Sequence, residues 1–314
     1  MIIKKDILPK IIVKSEYGDQ KFSGSWYRGK HCNFIPNKKN LNTNENFIKD
    51  YILKGYLPKQ PIINKNNKII AFGSCFAFYV SQYLTSMGYS VLNKKRKNDG
   101  NHIVRYGEGM ANTFTVIEQL EWIFEKKKIE NNTWYYLPNK EIEQNDDIRK
   151  AVYKLLSEIN VLIITVGLSE VWYNKINNQV FWKAIPADKF DENKHGFRLS
   201  SVGENTNNLE KICLLIKKHL PKAKIIFTLS PIPLMATFRP QSCITANSIS
   251  KSILRVALDN VITKNYDNTY YFPAYEITKE YFVDPFKEDN RHLKDQYIKE
   301  IMEIFIKYYC FDIN

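Results

Sequence analysis

The side chains best suited by type to do chemistry are a hydroxyl and a thiol in adjacent positions, Ser74 and Cys75, within Gly73-Ser74-Cys75-Phe76-Ala77. The apolar run Ile69-Ile70-Ala71-Phe72 precedes them, and apolar residues at helical spacing follow from Phe76 to Met87. That pattern predicts a strand, a glycine turn and a helix, with both candidate nucleophiles at the helix N-terminus. Unpaired backbone N–H groups and the helix dipole stabilise a thiolate there and can bind an oxyanion. The plainer reading makes Ser74 an N-cap and Cys75 a small buried residue. Such a nucleophile needs a histidine oriented by a carboxylate. Asp289-Asn290-Arg291-His292 carries both within one turn, although Asp284, Lys287, Glu288 and Arg291 also make it read as a charged surface loop.

The elements that must position these residues are legible from residue 68 onward. Val161-Leu162-Ile163-Ile164-Thr165-Val166 and Ile225-Ile226-Phe227-Thr228-Leu229 are near-continuous apolar runs, as expected of strands buried on both faces. Val91-Leu92 and Thr269-Phe272 read as further strands. Helical patterns run over Thr113–Phe124, Leu209–Leu220, Ala246–Val261 and Asp295–Tyr309. Strands alternating with helices imply crossovers and a doubly wound α/β domain with a parallel sheet. Residues 1–66 lack periodicity and read as an irregular N-terminal extension packed on a core of residues 67–314. Residues 174–201 read as an insertion or lid. In open α/β sheets ligands bind beyond the carboxyl ends of strands. Four polar motifs begin there: Gly73-Ser74-Cys75, Gly167-Leu168-Ser169-Glu170-Val171-Trp172, Ser230-Pro231-Ile232-Pro233 and Pro273-Ala274-Tyr275-Glu276.

Taken together, Gly73-Ser74-Cys75-Phe76-Ala77, Gly167–Trp172, Ser230–Leu234, Ala236-Thr237-Phe238, Ala246-Asn247, Ser250-Lys251, Leu254–Ala257 and Phe272–Glu276 resemble the GSCFA domain family, in order, over roughly residues 20–305. That family is similar to the SGNH (GDSL-type) hydrolases. The resemblance implies a flavodoxin-like three-layer doubly wound sheet and acyl-ester chemistry, either O-acyltransfer or hydrolysis. It makes Asp289 and His292 the D-x-x-H pair before the last helix. In register with an apolar strand followed by G-D-S-L, Ser74 falls at the aspartate and Cys75 at the nucleophile, so Cys75 and Ser74 both stand as candidates. Gly107 or Gly109, Asn112 and Ser169 are the implied oxyanion-hole donors. Ser169 stands where the superfamily has asparagine, a single donor in place of an amide. Asn112 and Ser169 read equally well as caps.

Glu170, Trp172, Arg239 and Asn247 are expected at the substrate. Arg239 suits an anionic group, or it pairs with Glu170 or Glu276 as scaffold. Lys251 and Arg255, four apart, read as a structural helix face. The resemblance further implies a bacterial surface polysaccharide or its precursor as substrate, with acetyl-CoA as acyl donor and no permanently bound cofactor. A second expectation is a catalytically silent carbohydrate- or nucleotide-binding module on the same fold.

Composition narrows the rest. The chain has 314 residues, 44% hydrophobic, enough for a sizeable core. Five dispersed cysteines and five dispersed histidines suggest a reduced, cytoplasmic setting and no metal site. No apolar run is long enough to span a bilayer, and no secretory signal is expected. The net charge is +13, and Lys and Asn recur together in tracts such as Asn37–Asn40 and Asn64–Lys68. These read as solvated loops, or as attraction to an anionic substrate; no motif supports specific nucleic-acid binding.

Overall fold

A computed structural model of the chain describes residues 10–13, 20–23, 33–36, 46–92, 111–128 and 146–311. They fall into two units, residues 1–55 and 56–314. In the first, β1 (Lys10–Val13) pairs antiparallel with β2 (Gln20–Ser23), and a π-helical turn occupies Ile48–Ile52. The antiparallel pair lies in a segment expected to be irregular. Its strands are four residues long, too short for alternation to stand out.

The second unit holds a five-stranded parallel sheet built from β3 (Lys68–Gly73), β4 (Ser90–Val91), β5 (Val161–Val166), β8 (Lys224–Leu229) and β9 (Thr269–Tyr271). Its order is β4-β3-β5-β8-β9, the 2-1-3-4-5 arrangement of flavodoxin-like sheets. All neighbouring strands are parallel. The chain leaves β3 through α1 (Cys75–Ser86) to β4 on one side, then returns to place β5 on the other. The switch point therefore lies between the carboxyl ends of β3 and β5.

Helices cover both faces. On one, α2 (Thr113–Glu125), α3 (Asp146–Ser157), α4 (Val202–His219) and α5 (Cys243–Thr263) bury apolar residues against Ile70, Phe72, Leu162, Ile164, Phe227 and Leu229. On the other, α1 packs on β3 and β5 and against the last long helix, α7 (Asp295–Tyr309). A one-turn helix, α6 (Ala274–Glu276), follows β9. Between β5 and α4 the chain makes an antiparallel excursion, β6 (Glu170–Asn174) with β7 (His195–Leu199). It covers the stretch 174–201 expected to be an insertion but begins earlier, with β6 at Glu170. Among the described residues no helix is long and apolar enough to cross a membrane.

Two helices differ from the sequence pattern. The α3 helix had no expected counterpart, and α4 begins seven residues before the expected Leu209. Its start is set by a capping box: Glu204 N–H donates to Ser201 Oγ, and Ser201 N–H donates to Glu204 Oε2. The polar first turns are buried because Asn205 and Asn208 hydrogen-bond Thr113 on α2.

Candidate active site

A cavity of about 310 Å³ opens at the switch point. Its floor comes from the ends of three strands. Gly73 ends β3 with φ +118, a region that side chains rarely enter. Ser74 follows as the N-cap of α1: its Oγ accepts from Phe76 N–H at 3.2 Å and lies 2.8 Å from Thr165 Oγ1 on β5. Its own N–H donates to Thr165 Oγ1 at 2.7 Å. Ser74 is buried and Cys75 partly exposed, and both line the cavity. The positive end of α1, where Cys75 is the first helical residue, favours an anion.

Gly167, at the end of β5, completes the floor. A Cβ built on it would lie 3.5 Å from Ser74 Cβ, 3.3 Å from Ser230 Cβ and 3.5 Å from Ala111 Cβ. The missing side chain is thus what leaves room beside Ser74. Gly167 N–H donates to Ala111 O at 2.8 Å, which fixes Asn112 at the cavity wall. Asn112 caps α2, with Oδ1 accepting from Thr115 N–H and Thr115 Oγ1. That anchors its amide fork, with the –NH₂ arm on the other side.

The expected Asp289–His292 contact is formed. His292 Nδ1 meets Asp289 Oδ2, while Asp289 Oδ1 accepts from the N–H groups of Arg291 (3.0 Å) and His292 (2.9 Å). The loop closes through a bridge between Phe286 and Leu293, a bond from Lys287 N–H to His292 O, and Asn290 at φ 52. Asparagine tolerates that left-handed conformation. The hydrogen bonds from the His292 ring, then from the backbone, hold the Asp289 carboxyl down to about 2. Because its folded value is depressed, its contribution to stability is present above the ordinary carboxylate range and lost as pH falls through about 2. Asp289 thus stays ionised across the whole range in which esters are assayed. Arg291, one residue before His292, lines the cavity and donates from Nε to Pro233 O at 3.3 Å. Tyr79, one turn along α1 from Cys75, has its phenol pushed up by burial. Lys287, Cys75, Asp295 and Asp289 act on it electrostatically, so the loop's charges lie near the face of α1 that carries Cys75.

The excursion supplies the outer wall. Trp172 on β6 packs against Phe238, Phe197 and Phe190 with ring centroids 4.9, 5.1 and 5.9 Å away. Trp182 and Lys183 add to the lining. Nothing in the spacing of 174–201 pointed to these residues; the clustering of aromatics with Lys183 was the available signal.

Several expected site residues lie elsewhere. Ser169 is fully buried, outside the cavity lining, and its hydroxyl faces Ser250 on α5 (Oγ–Oγ 3.1 Å), so it is turned away from any oxyanion. Asn247 Oδ1 accepts from Leu234 N–H, bracing the loop after β8 rather than a ligand. Gly107 and Gly109 lie outside the described residues. The motif at 273–276 does not reach the cavity. It follows the edge strand β9, farthest from the switch point, and Glu276 instead binds Arg255 and Tyr271.

Glu170 lines the cavity, but its carboxylate is bound by Arg239 Nη1 at 3.1 Å and Thr237 Oγ1 at 2.7 Å. Arg239 is therefore scaffold to Glu170 and not a line of the cavity. The Glu170 side chain is 3% exposed. Removing the guanidinium would leave a buried carboxylate with one hydroxyl donor, at a cost of about 3–5 kcal/mol. Arg239→Met should lower the melting temperature by roughly 6–20 °C, and adding Glu170→Gln should restore most of it. A single variant within 2 °C of wild type would mean that the pair is not holding the wall.

A doubly wound sheet in flavodoxin-like order, with a cavity at its switch point and a histidine–carboxylate loop before the last long helix, defines the class of this protein. Residues 68–305 match the model of the GSCFA family, and the chain belongs to that family. None of the curated proteins compared with it matches its sequence. Similar solved structures include a GDSL-like lipase from Bacteroides thetaiotaomicron (TM-score 0.40, 12% identity, covering 77% of this chain and 86% of that one). A family 3 carbohydrate esterase from Clostridium thermocellum has TM-score 0.37 and 12% identity, covering 78% and 95%. A family 3 carbohydrate esterase from Talaromyces cellulolyticus has TM-score 0.38 and 10% identity, covering 79% and 100%.

Proposed function

We propose that the protein is an acyl-ester enzyme that forms a covalent acyl intermediate on Cys75. The observation that carries this reading is the Asp289–His292 pair in a loop whose Arg291 lines the cavity, together with a cavity floor that presents Cys75 in the first turn of α1. With Nδ1 turned to Asp289, Nε2 is the nitrogen left to act as base. It takes the Cys75 thiol proton as sulfur attacks the acyl carbonyl. The tetrahedral oxyanion is met by the Cys75 backbone N–H at the positive end of α1 and by the amide of Asn112. The carbon–oxygen or carbon–sulfur bond of the donor then breaks, and the leaving group takes the proton from His292. In the second half-reaction an acceptor hydroxyl gives its proton to His292 and attacks the thioester. Sulfur leaves and recovers the proton.

Ser74 has a different part in this reading. Its hydroxyl is bonded to Thr165 and caps α1, so it shapes the turn that carries Cys75. The acceptor we propose is a carbohydrate hydroxyl, since Trp172, Phe197 and Phe238 offer apolar faces on which a sugar ring can stack. The donor we propose is acetyl-CoA, whose thioester exchanges readily with a cysteine thioester. Lys183 and Arg291 in the lining suit an anionic donor or acceptor.

Acid quench during turnover of p-nitrophenyl acetate, followed by peptide mapping, tests the reading. The acetyl group is expected on the peptide bearing Cys75, and hydroxylamine should release it as thioesters require. Turnover without a labelled peptide, or no turnover with either p-nitrophenyl acetate or acetyl-CoA, would sink the covalent mechanism. The cavity would then be that of a silent binding module.

A further inference from the structure

The face of α5 towards the site carries three polar residues at positions i, i+3 and i+4: Asn247, Ser250 and Lys251. Each binds a loop that leaves the sheet beside the cavity. Asn247 holds Leu234 N–H, and Ser250 holds both the N–H and the hydroxyl of Ser169. Lys251 does most. Its side chain is fully buried, and Nζ donates to Ser230 O at 2.8 Å, Ile232 O at 2.8 Å and Gly167 O at 3.1 Å. An ammonium has three N–H donors, and all three are used. Two of the carbonyls precede Pro231 and Pro233, in peptides that have no N–H of their own. The alternation of prolines in Ser230-Pro231-Ile232-Pro233 thus leaves a chain whose only backbone polar groups at those bonds are acceptors aimed at one cation. All three acceptor residues line the cavity, and a Cβ built on Gly167 would lie 3.5 Å from Ser74 Cβ.

We propose that Lys251 is a positioning residue of this site: its buried ammonium clamps the loop after β5 to the loop after β8, and so sets the floor on which Ser74 and Cys75 meet substrate. The clamp rests on the acyl-ester reading for its effect on turnover, but not for its effect on the loops. A neutral amine would bind the three carbonyls more weakly than an ammonium does, because charge-assisted hydrogen bonds are about twice as strong. Burial pushes the Lys251 ammonium down to about 7, with the positive Arg291 adding to the shift, while the three carbonyls oppose it by favouring the charged form. A clamp of this kind weakens as pH rises through its own titration, whereas a merely space-filling side chain would be insensitive to pH.

The test compares wild type with Lys251→Met, which keeps the volume, and with Lys251→Gln, which keeps a donor should the methionine variant fail to fold. Hydrogen–deuterium exchange is expected to speed up at least tenfold in residues 167–170 and 230–236 of either variant, with the amides of β5 and β8 unchanged. For p-nitrophenyl acetate, kcat should fall at least tenfold with KM changed less than threefold. The wild-type alkaline decline in kcat/KM should be absent from the variants. Unchanged exchange in both loops, or a pH profile identical in wild type and variants, would overturn the clamp. If wild type turns over no ester at all, the acyl-ester reading fails while the exchange measurement still decides the clamp.

Discussion

Cys75→Ala is expected to lower kcat for p-nitrophenyl acetate by about 10³-fold or more, as removal of a covalent nucleophile does, while Ser74→Ala leaves measurable turnover. The asymmetry follows from what each side chain already does. Ser74 Oγ is 2.8 Å from Thr165 Oγ1 and accepts the Phe76 N–H; freeing it for attack would undo the cap of α1. Cys75 is the more exposed of the two and stands one residue into the helix. Loss of the cap in Ser74→Ala costs about 1 kcal/mol of stability, so that variant should melt a few degrees lower and keep its acylation site. His292→Ala should match Cys75→Ala, and the double variant should be no worse than either. Nucleophile and base act as one unit, and their effects do not add. The decisive comparison is kcat for the two alanine variants at matched folded fraction. The opposite order, with Cys75→Ala active and Ser74→Ala dead, would assign the chemistry to the hydroxyl and recast Cys75 as packing.

Gly73→Ala should be strongly damaging. The new Cβ would sit 2.2 Å from Thr165 O and 3.0 Å from both Thr165 C and Oγ1. Those atoms belong to the neighbouring strand, with Gly73 paired directly to Thr165, so the obstacle is backbone inside a parallel sheet and cannot swing aside. The residue would also be held at φ +118. Strain of about 1–3 kcal/mol and overpacking of about 1–3 kcal/mol add up to a loss near 4 kcal/mol. A drop in melting temperature of roughly 8–16 °C follows, along with a displaced Ser74–Cys75 turn. Misplacing reacting groups by about 1 Å costs on the order of 10²-fold. Gly88→Ala is the control. Its φ is +83 but a Cβ there meets nothing nearer than the flexible end of Lys65, at 3.6 Å, so the cost is the backbone term alone. Equal melting temperatures for the two variants would show that contact with Thr165 is not what requires glycine at 73.

Much of the scaffold was legible because its cause is local. Strands β5 and β8 lie within a residue of the apolar runs that suggest them, and α7 begins and ends where its pattern does. Periodicity reports burial, and burial is what these elements were selected for. The start of α4 was hidden for the opposite reason. Asn205 and Asn208 look like loop residues, and they are helical because Ser200, Ser201 and Thr113 take up their hydrogen bonds. Partners contributed by α2, some 90 residues away, leave no trace in a local window.

The same division runs through the site. Sequence by itself determined the strand-to-helix turn at Gly73-Ser74-Cys75, because a glycine between an apolar strand and a helix, followed by a small capping residue, has few conformations open to it. It also determined the Asp289–His292 pair, which spans three residues and closes through its own backbone. What the tertiary structure alone decided is which of the remaining polar residues face the cavity. Ser169 and Trp172 are three apart in one motif, yet one turns to Ser250 and the other to the aromatic wall. Arg239 meets Glu170 rather than Glu276, and Lys251, read as part of a helix face, gathers the carbonyls of two loops. Spacing along the chain sets which residues share an element. The direction a side chain takes from the end of a strand depends on which buried donors and acceptors the neighbouring elements leave to be satisfied.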